Sequence, residues 1–278
     1  MKLPAAWELP RRSLSLDRPL VMGILNVTPD SFSDGNRFFS TESAVRRALE
    51  MEEEGADIID IGGESTRPNA PPVDLDEELR RVVPVIEALA GKLSVPISVD
   101  TYKAAVARAA CAAGAEIVND VSGLRFDEQM AAAVAEADAG LVVMHTRGTP
   151  DRMQADTCYD DLIAEVKAYL LESVRLAGEA GIKSTRIAID PGLGFAKSLD
   201  GNLELIRRLE EFLPMGYPIL VGPSRKSFIG TITGRTKEER VFGTAAAVAV
   251  SVLKGASVVR VHDVAAMRDV VLMAKALA

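Results

Sequence analysis

Asn26, Asp60, Asp100, Asn119, His145 and Asp190 each stand at the C-terminal end of a short apolar run or one residue past it. Lys226, Arg260 and His262 belong to the ends and loops of two later runs of the same kind. Serine, threonine or lysine would satisfy solubility at such ends. Partly buried carboxylates and amides are costly unless donors meet them. Asp100, Asp190 and Asn119 can together grip the N–H and NH2 edge of a heterocycle such as an aminopyrimidinone, and Lys226 can donate to a ring carbonyl or nitrogen. Arg67, Arg260, His262 and Asn26 form a second group, in which two guanidiniums and an imidazole beside an amide oxygen suit a phosphate. Phe195 can pack on an aromatic substrate. Ser227 begins a turn whose N–H groups can take a carboxylate. Taken singly, Lys226 reads as well as a surface lysine, Arg67 as a solvated loop residue and Phe195 as ordinary loop packing; the set points to one site. No H-E-x-x-H or C-x-x-C occurs, which argues against zinc. Mg2+ takes oxygen ligands together with phosphate and water, and Asn26 can supply one.

One architecture brings all these strand ends together. Short apolar runs at Leu20–Leu25, Asp57–Ile61, Ile97–Asp100, Glu116–Asn119, Leu141–Met144, Arg186–Asp190, Pro218–Val221 and Ser257–Val261 read as strands. Helical patterns alternate with them at Glu42–Glu54, after Asp74, and at Tyr102–Ala113, Asp127–Ala137, Asp160–Glu179, Leu199–Glu211, Lys237–Leu253 and Val264–Leu277. The second helix carries a capping-box pattern, Asp74…Glu77, and Pro84 should kink it. Three segments repeat one design: Gly55-Ala-Asp-Ile-Ile-Asp60, Gly114-Ala-Glu-Ile-Val-Asn119 and Gly255-Ala-Ser-Val-Val-Arg260. In each, a helix-ending glycine leads to a strand apolar on successive residues, as strands covered on both faces are. Eight strand–helix units with right-handed crossovers predict an α/β fold, a single (β/α)8 TIM barrel over residues 20–278 behind an N-terminal arm over 1–19. An open doubly wound sheet is the runner-up, but no G-x-G-x-x-G follows the first strand.

The chain has 278 residues, 48% hydrophobic and 26% charged, with a net charge of −8. That balance opposes nucleic-acid binding through phosphate neutralisation. No apolar run approaches the ~20 residues of a membrane helix. The two cysteines form no metal or redox spacing, and a reduced, cytoplasmic protein is the expectation.

Seven motifs carry a resemblance to a known family: Met22–Gly35 (MGILNVTPDSFSDG), Asp60–Pro68 (DIGGESTRP), Ile97–Lys103, Asn119–Gly123, Asp190–Phe195, Gly222–Phe228 and Arg260–Asp263. In order, from about residue 20 onward, they closely resemble the motifs of dihydropteroate synthases. The resemblance implies condensation of 6-hydroxymethyl-7,8-dihydropterin diphosphate with 4-aminobenzoate, releasing pyrophosphate, in folate synthesis. It implies that Asp100, Asn119, Asp190 and Lys226 hold the pterin. Arg260 would stack on the pterin and hold the diphosphate with His262 and with Asn26, the latter through Mg2+. Thr66, Arg67, Pro68, Phe195 and Ser227 would shape the aminobenzoate site, which is also where sulfonamides act. Asp34 would be the carboxylate near a pterin cation formed when the methylene–oxygen bond breaks first. No side-chain nucleophile is then required, in keeping with the absence of a Ser/His or Cys/His triad pattern. The resemblance also implies a homodimer. Asn36, Asn69 and Ala196 stand where the family commonly has glycine. A pterin-binding methyltransferase domain and a catalytically silent pterin-binding paralogue are the competing readings. The Ser-Thr-Arg-Pro and Ser-Arg-Lys-Ser-Phe loops argue against the first, and the presence of Lys226, Arg260 and His262 against the second.

Overall fold

The computed structural model describes residues 4–28, 41–66 and 70–278. Eight parallel strands form one sheet: β3 (Leu20–Asn26), β4 (Ile58–Gly62), β5 (Ile97–Asp100), β6 (Ile117–Asp120), β7 (Gly140–Met144), β8 (Ile187–Asp190), β9 (Leu220–Val221) and β10 (Val258–Val261). Neighbours follow chain order from β3 to β8, with β10 and then β9 on the other side of β3. A parallel bridge between Ile189 and Ile219 closes the ring. The protein is a (β/α)8 barrel, and none of its described helices is long and apolar enough to cross a membrane.

Alternation along the strands explains why the site is polar and the rest is not. Val21, Ile59, Val118 and Val143 face outward into the cluster shared with the helices. Leu20, Met22, Ile58, Ile117, Val142, Ala188, Leu220 and Val258 form a separate cluster inside the ring. Successive inward positions are two residues apart. One step toward the C-terminal end therefore leads from Ile58 to Asp60, from Ile117 to Asn119, from Ala188 to Asp190 and from Val258 to Arg260. The apolar floor and the polar mouth are the same stripe read at two heights.

The helices are α1 (Thr41–Glu53), α2 (Leu75–Leu89), α3 (Ala104–Ala113), α4 (Met130–Glu136), α5 (Leu162–Glu179), α6 (Leu199–Arg207), α7 (Ser227–Thr233), α8 (Val241–Leu253) and α9 (Val264–Ala276). Two expectations need correction. Asp74 is the N-cap of α2 but makes no side-chain cap hydrogen bond; Glu77 instead pairs with Arg81 at 2.7 Å, so no capping box forms. The helix expected at Lys237–Leu253 begins at Val241, and a separate α7 starts directly at Ser227. The N-terminal arm carries an antiparallel hairpin of β1 (Ala6–Glu8) and β2 (Ser13–Ser15). Trp7 is fully buried in the interior cluster with Leu9, and its indole N–H donates to the Arg186 carbonyl at 2.8 Å. The hairpin thus stoppers the N-terminal opening of the barrel, opposite the polar mouth.

Candidate active site

At the C-terminal mouth lies a cavity of about 330 Å³, lined among others by Asn26, Thr66, Asp100, Phe195, Lys226, Ser227, Arg260 and His262. These eight residues come from six separate stretches of chain, and all were singled out from the sequence. Asn119 and Asp190 lie buried beneath it. Arg67, Pro68 and Asp34, the remaining candidates, fall outside the described residues, as do Asn36 and Asn69.

The floor is an ion cluster. Arg260 donates from Nε to Asp60 Oδ2 at 2.5 Å and from Nη2 to Asp100 Oδ2 at 2.6 Å. Asn119 donates from Nδ2 to the same Asp60 oxygen at 3.1 Å. Asp60 therefore organises the cluster as a buried acceptor, a role not assigned to it from sequence. Arg260 is not a free cation at the rim; two of its nitrogens are committed to carboxylates. Against the cost of burial, Asp60 and Asp100 hold its guanidinium charged, above its ordinary range. Asp60 Oδ1 and Asp100 Oδ1 are buried without a hydrogen-bond partner. Buried polar atoms are nearly always paired, and Asp100 lines the cavity, so its unpartnered oxygen marks where a donor of a ligand belongs.

The electrostatics are those of buried, opposed charges. Burial pushes Asp100 up to about 7 against the pull of Arg260. It pushes Asp190 up to about 6, opposed by the Gly192 N–H, which donates to Asp190 Oδ1 at 2.7 Å, and by Lys226. It pulls Lys226 down to about 7, opposed by Asp190. Lys226 donates to the Leu193 carbonyl at 2.5 Å and sits 4.0 Å from the Phe195 ring centroid. The turn that carries Leu193 and Phe195 approaches so closely that a Cβ on Gly194, at φ +79°, would lie 2.6 Å from Lys226 Cδ. Ala196, in place of the common glycine, holds φ +50°, the left-handed region that glycine enters without strain; the Tyr159 hydroxyl donates to its carbonyl at 2.9 Å.

The side of the cavity where an anion was expected from the sequence is built on β10 and the loop before α7. His262 Nδ1 is 2.9 Å from Ser224 Oγ, which also accepts the His262 backbone N–H at 3.1 Å. Burial, then Arg260 and Arg225, pull the imidazole down to about 3, so it is neutral at physiological pH. Arg225, at φ +55°, is fixed by its N–H donating to Thr244 Oγ1 at 3.0 Å and by its side chain pairing with Asp263. Asn26 is a neutral amide, and among the described residues no group of three His, Cys, Asp or Glu could hold a metal ion. That donor set fits a magnesium ion held mainly by diphosphate oxygens and water, with Asn26 as the protein ligand. It does not fit an all-protein cage.

Two supports escaped sequence reasoning. His145, expected in the polar ring, is buried behind it: its Nδ1 lies 2.9 Å from Lys197 Nζ, and Tyr159 and Tyr169 pack on the ring. Lys197 also donates to the Phe195 carbonyl at 2.8 Å and so braces the turn under Lys226. On the other side, Glu64 accepts from the Tyr102 hydroxyl at 2.5 Å, and Lys103 bridges Glu64 to the buried Glu78. This cluster clamps the stem from which Ser65 and Thr66 reach the cavity. Nothing in the local sequence around His145, Lys197 or Glu64 distinguishes these partners.

Residues 22–262 match the model of the pterin binding enzyme family. A dihydropteroate synthase of Synechocystis is 49% identical over 94% of this chain and 90% of its own. A Xanthomonas albilineans dihydropteroate synthase solved with 4-aminobenzoic acid is 47% identical, with a TM-score of 0.92 over 98% of each chain. A Burkholderia cenocepacia dihydropteroate synthase complexed with 7,8-dihydropteroate is 45% identical, with a TM-score of 0.90 over 100% of this chain and 98% of that one.

Proposed function

Because the chain belongs to the pterin-binding enzyme family, and within it to the dihydropteroate synthases, we propose how its residues divide the work. The enzyme is a transferase. It joins 6-hydroxymethyl-7,8-dihydropterin diphosphate to 4-aminobenzoate, giving 7,8-dihydropteroate and pyrophosphate. Asp100, Asn119 and Asp190 take the N–H and NH2 edge of the pterin, and Lys226 donates to its carbonyl or ring nitrogen. The observation that carries this assignment is the unpartnered acceptor Asp100 Oδ1, on a residue that lines the cavity. Arg260 bounds the pterin pocket and, with His262, Asn26 and Arg67, receives the diphosphate. Thr66, Arg67, Pro68, Phe195 and Ser227 enclose the aminobenzoate, the region a sulfonamide would occupy.

In the reaction the methylene–oxygen bond breaks, and its electron pair leaves with the diphosphate. The resulting pterin cation is delocalised over the ring. The aniline nitrogen then attacks the methylene and loses a proton. Arg260 and the neutral His262 stabilise charge on the leaving group. Mg2+, when bound at Asn26, supplies further charge neutralisation there. Asp34 is the carboxylate assigned to the cation in this scheme. No side-chain nucleophile takes part.

A homodimer is part of the same proposal. Phe242 on α8 is 85% exposed, and Val250, Leu253, Met273 and Leu277 are exposed on or beside α8 and α9. Sedimentation at twice the chain mass is the expected result, and a monomer at micromolar concentration would remove this part. Free Cys111 and Cys158 support a reducing, cytoplasmic setting.

The site assignment is tested by Asp190→Ala. Loss of charge-assisted hydrogen bonds to the pterin should weaken its binding by roughly 2–4 kcal/mol. Calorimetry with 6-hydroxymethylpterin reads this directly, and unchanged affinity would remove Asp190 from the pterin site.

A further inference from the structure

We propose that Ser224 locks His262 in the neutral tautomer that carries its proton on Nε2, so that the ring presents an N–H to the leaving diphosphate. The proposal rests on the diphosphate assignment above and adds a positioning residue to it. Ser224 Oγ lies 2.9 Å from His262 Nδ1 and accepts the backbone N–H of the same residue at 3.1 Å. The hydroxyl has one hydrogen to give. Given to Nδ1, it finds an acceptor, and the ring proton moves to Nε2. In the other tautomer Nδ1–H would donate to Oγ, the hydroxyl hydrogen would lose its acceptor, and the Nε2 lone pair would face an anion. Both Ser224 and His262 line the cavity.

The surroundings keep the ring uncharged. Burial acts first, Arg260, Arg225 and Lys237 add to it from β10, from the loop before α7 and from the segment before α8, and Asp263 opposes them. Asp263 is itself paired with Arg225. The device is thus a directed neutral donor, with the fixed positive charge left to Arg260. A second row of interactions that sets the tautomer of a functional histidine is a general feature of such sites.

The test uses nitrogen NMR of the full-length protein labelled at histidine. The chain has two histidines, so two ring systems appear, and His262→Asn identifies which is which. In ligand-free wild type, Nε2 of His262 should be protonated and Nδ1 should be a hydrogen-bond acceptor, and adding pyrophosphate with Mg2+ should leave this unchanged. Ser224→Ala should give a mixture of tautomers and weaken pyrophosphate about five- to tenfold, the loss of one oriented hydrogen bond, with 6-hydroxymethylpterin affinity unchanged. A proton on Nδ1 in the wild type, or a tautomer untouched by Ser224→Ala, would overturn the lock. Failure of the wild type to bind pyrophosphate while Nε2 carries the proton would instead overturn the diphosphate assignment, and the two failures are told apart in one set of spectra.

Discussion

Arg260 holds the floor of the site together before any substrate arrives. Its guanidinium neutralises Asp60 and Asp100, both almost completely buried. Arg260→Ala should therefore act twice. Stranding two buried carboxylates should lower stability by about 3–5 kcal/mol, seen in thermal unfolding. In the protein that remains folded, pterin diphosphate should weaken more than free pterin; equal losses would contradict the anion role. The opposed shifts of Asp190 and Lys226 give a further expectation. The pterin's donors need carboxylates, so as pH falls through about 7 for Asp100 and about 6 for Asp190 binding must expel protons and affinity drops. Lys226 must be cationic to donate, so as pH rises through about 7 binding must take up a proton and affinity drops again. Pterin affinity measured by calorimetry should peak near pH 7. A flat profile from pH 5 to 8 would show that these groups do not titrate against the ligand.

At the scale of elements, the barrel separates support from chemistry. The hairpin β1–β2 closes the end away from the site, and its anchor is Trp7. Trp7→Ala should destabilise by about 3–5 kcal/mol, measured by urea unfolding with circular dichroism, and leave KM for both substrates unchanged. A shift in either KM would show that the stopper shapes the mouth. The strands were legible because each repeats one local rule. Gly55, Gly114 and Gly255 all end helices at φ between +95° and +130°, and β4, β6 and β10 start within three residues of them. The hairpin was not legible. Its strands have three residues each, too few to show a period among the prolines of the arm. The break between α7 and α8 was missed because the turn after Gly234, at φ +68°, lies within a stretch read as one loop and one helix. The polar ring was legible residue by residue, but its wiring was not. Arg260 meets Asp60 across 200 positions and Asp100 across 160, and only closure of the ring brings them together. His145 shows the reverse: its place at a strand end was right, but Lys197, Tyr159 and Tyr169, all later in the chain, enclose it.

At the scale of the whole molecule, an acidic chain with a net charge of −8 gathers Arg225, Lys226, Lys237, Arg240 and Arg260 around one cavity. Cations lining a cleft raise the local concentration of a small anion such as a diphosphate at its mouth. The account as a whole stands on one reaction at that mouth. Its most direct test is pyrophosphate release by the purified protein supplied with 6-hydroxymethyl-7,8-dihydropterin diphosphate, Mg2+ and 4-aminobenzoate, with the product identified by mass. Formation of 7,8-dihydropteroate that stops when 4-aminobenzoate is withheld is the expected result. Intact pterin binding with no product under these conditions would contradict it and leave a pterin-binding protein without the synthase reaction.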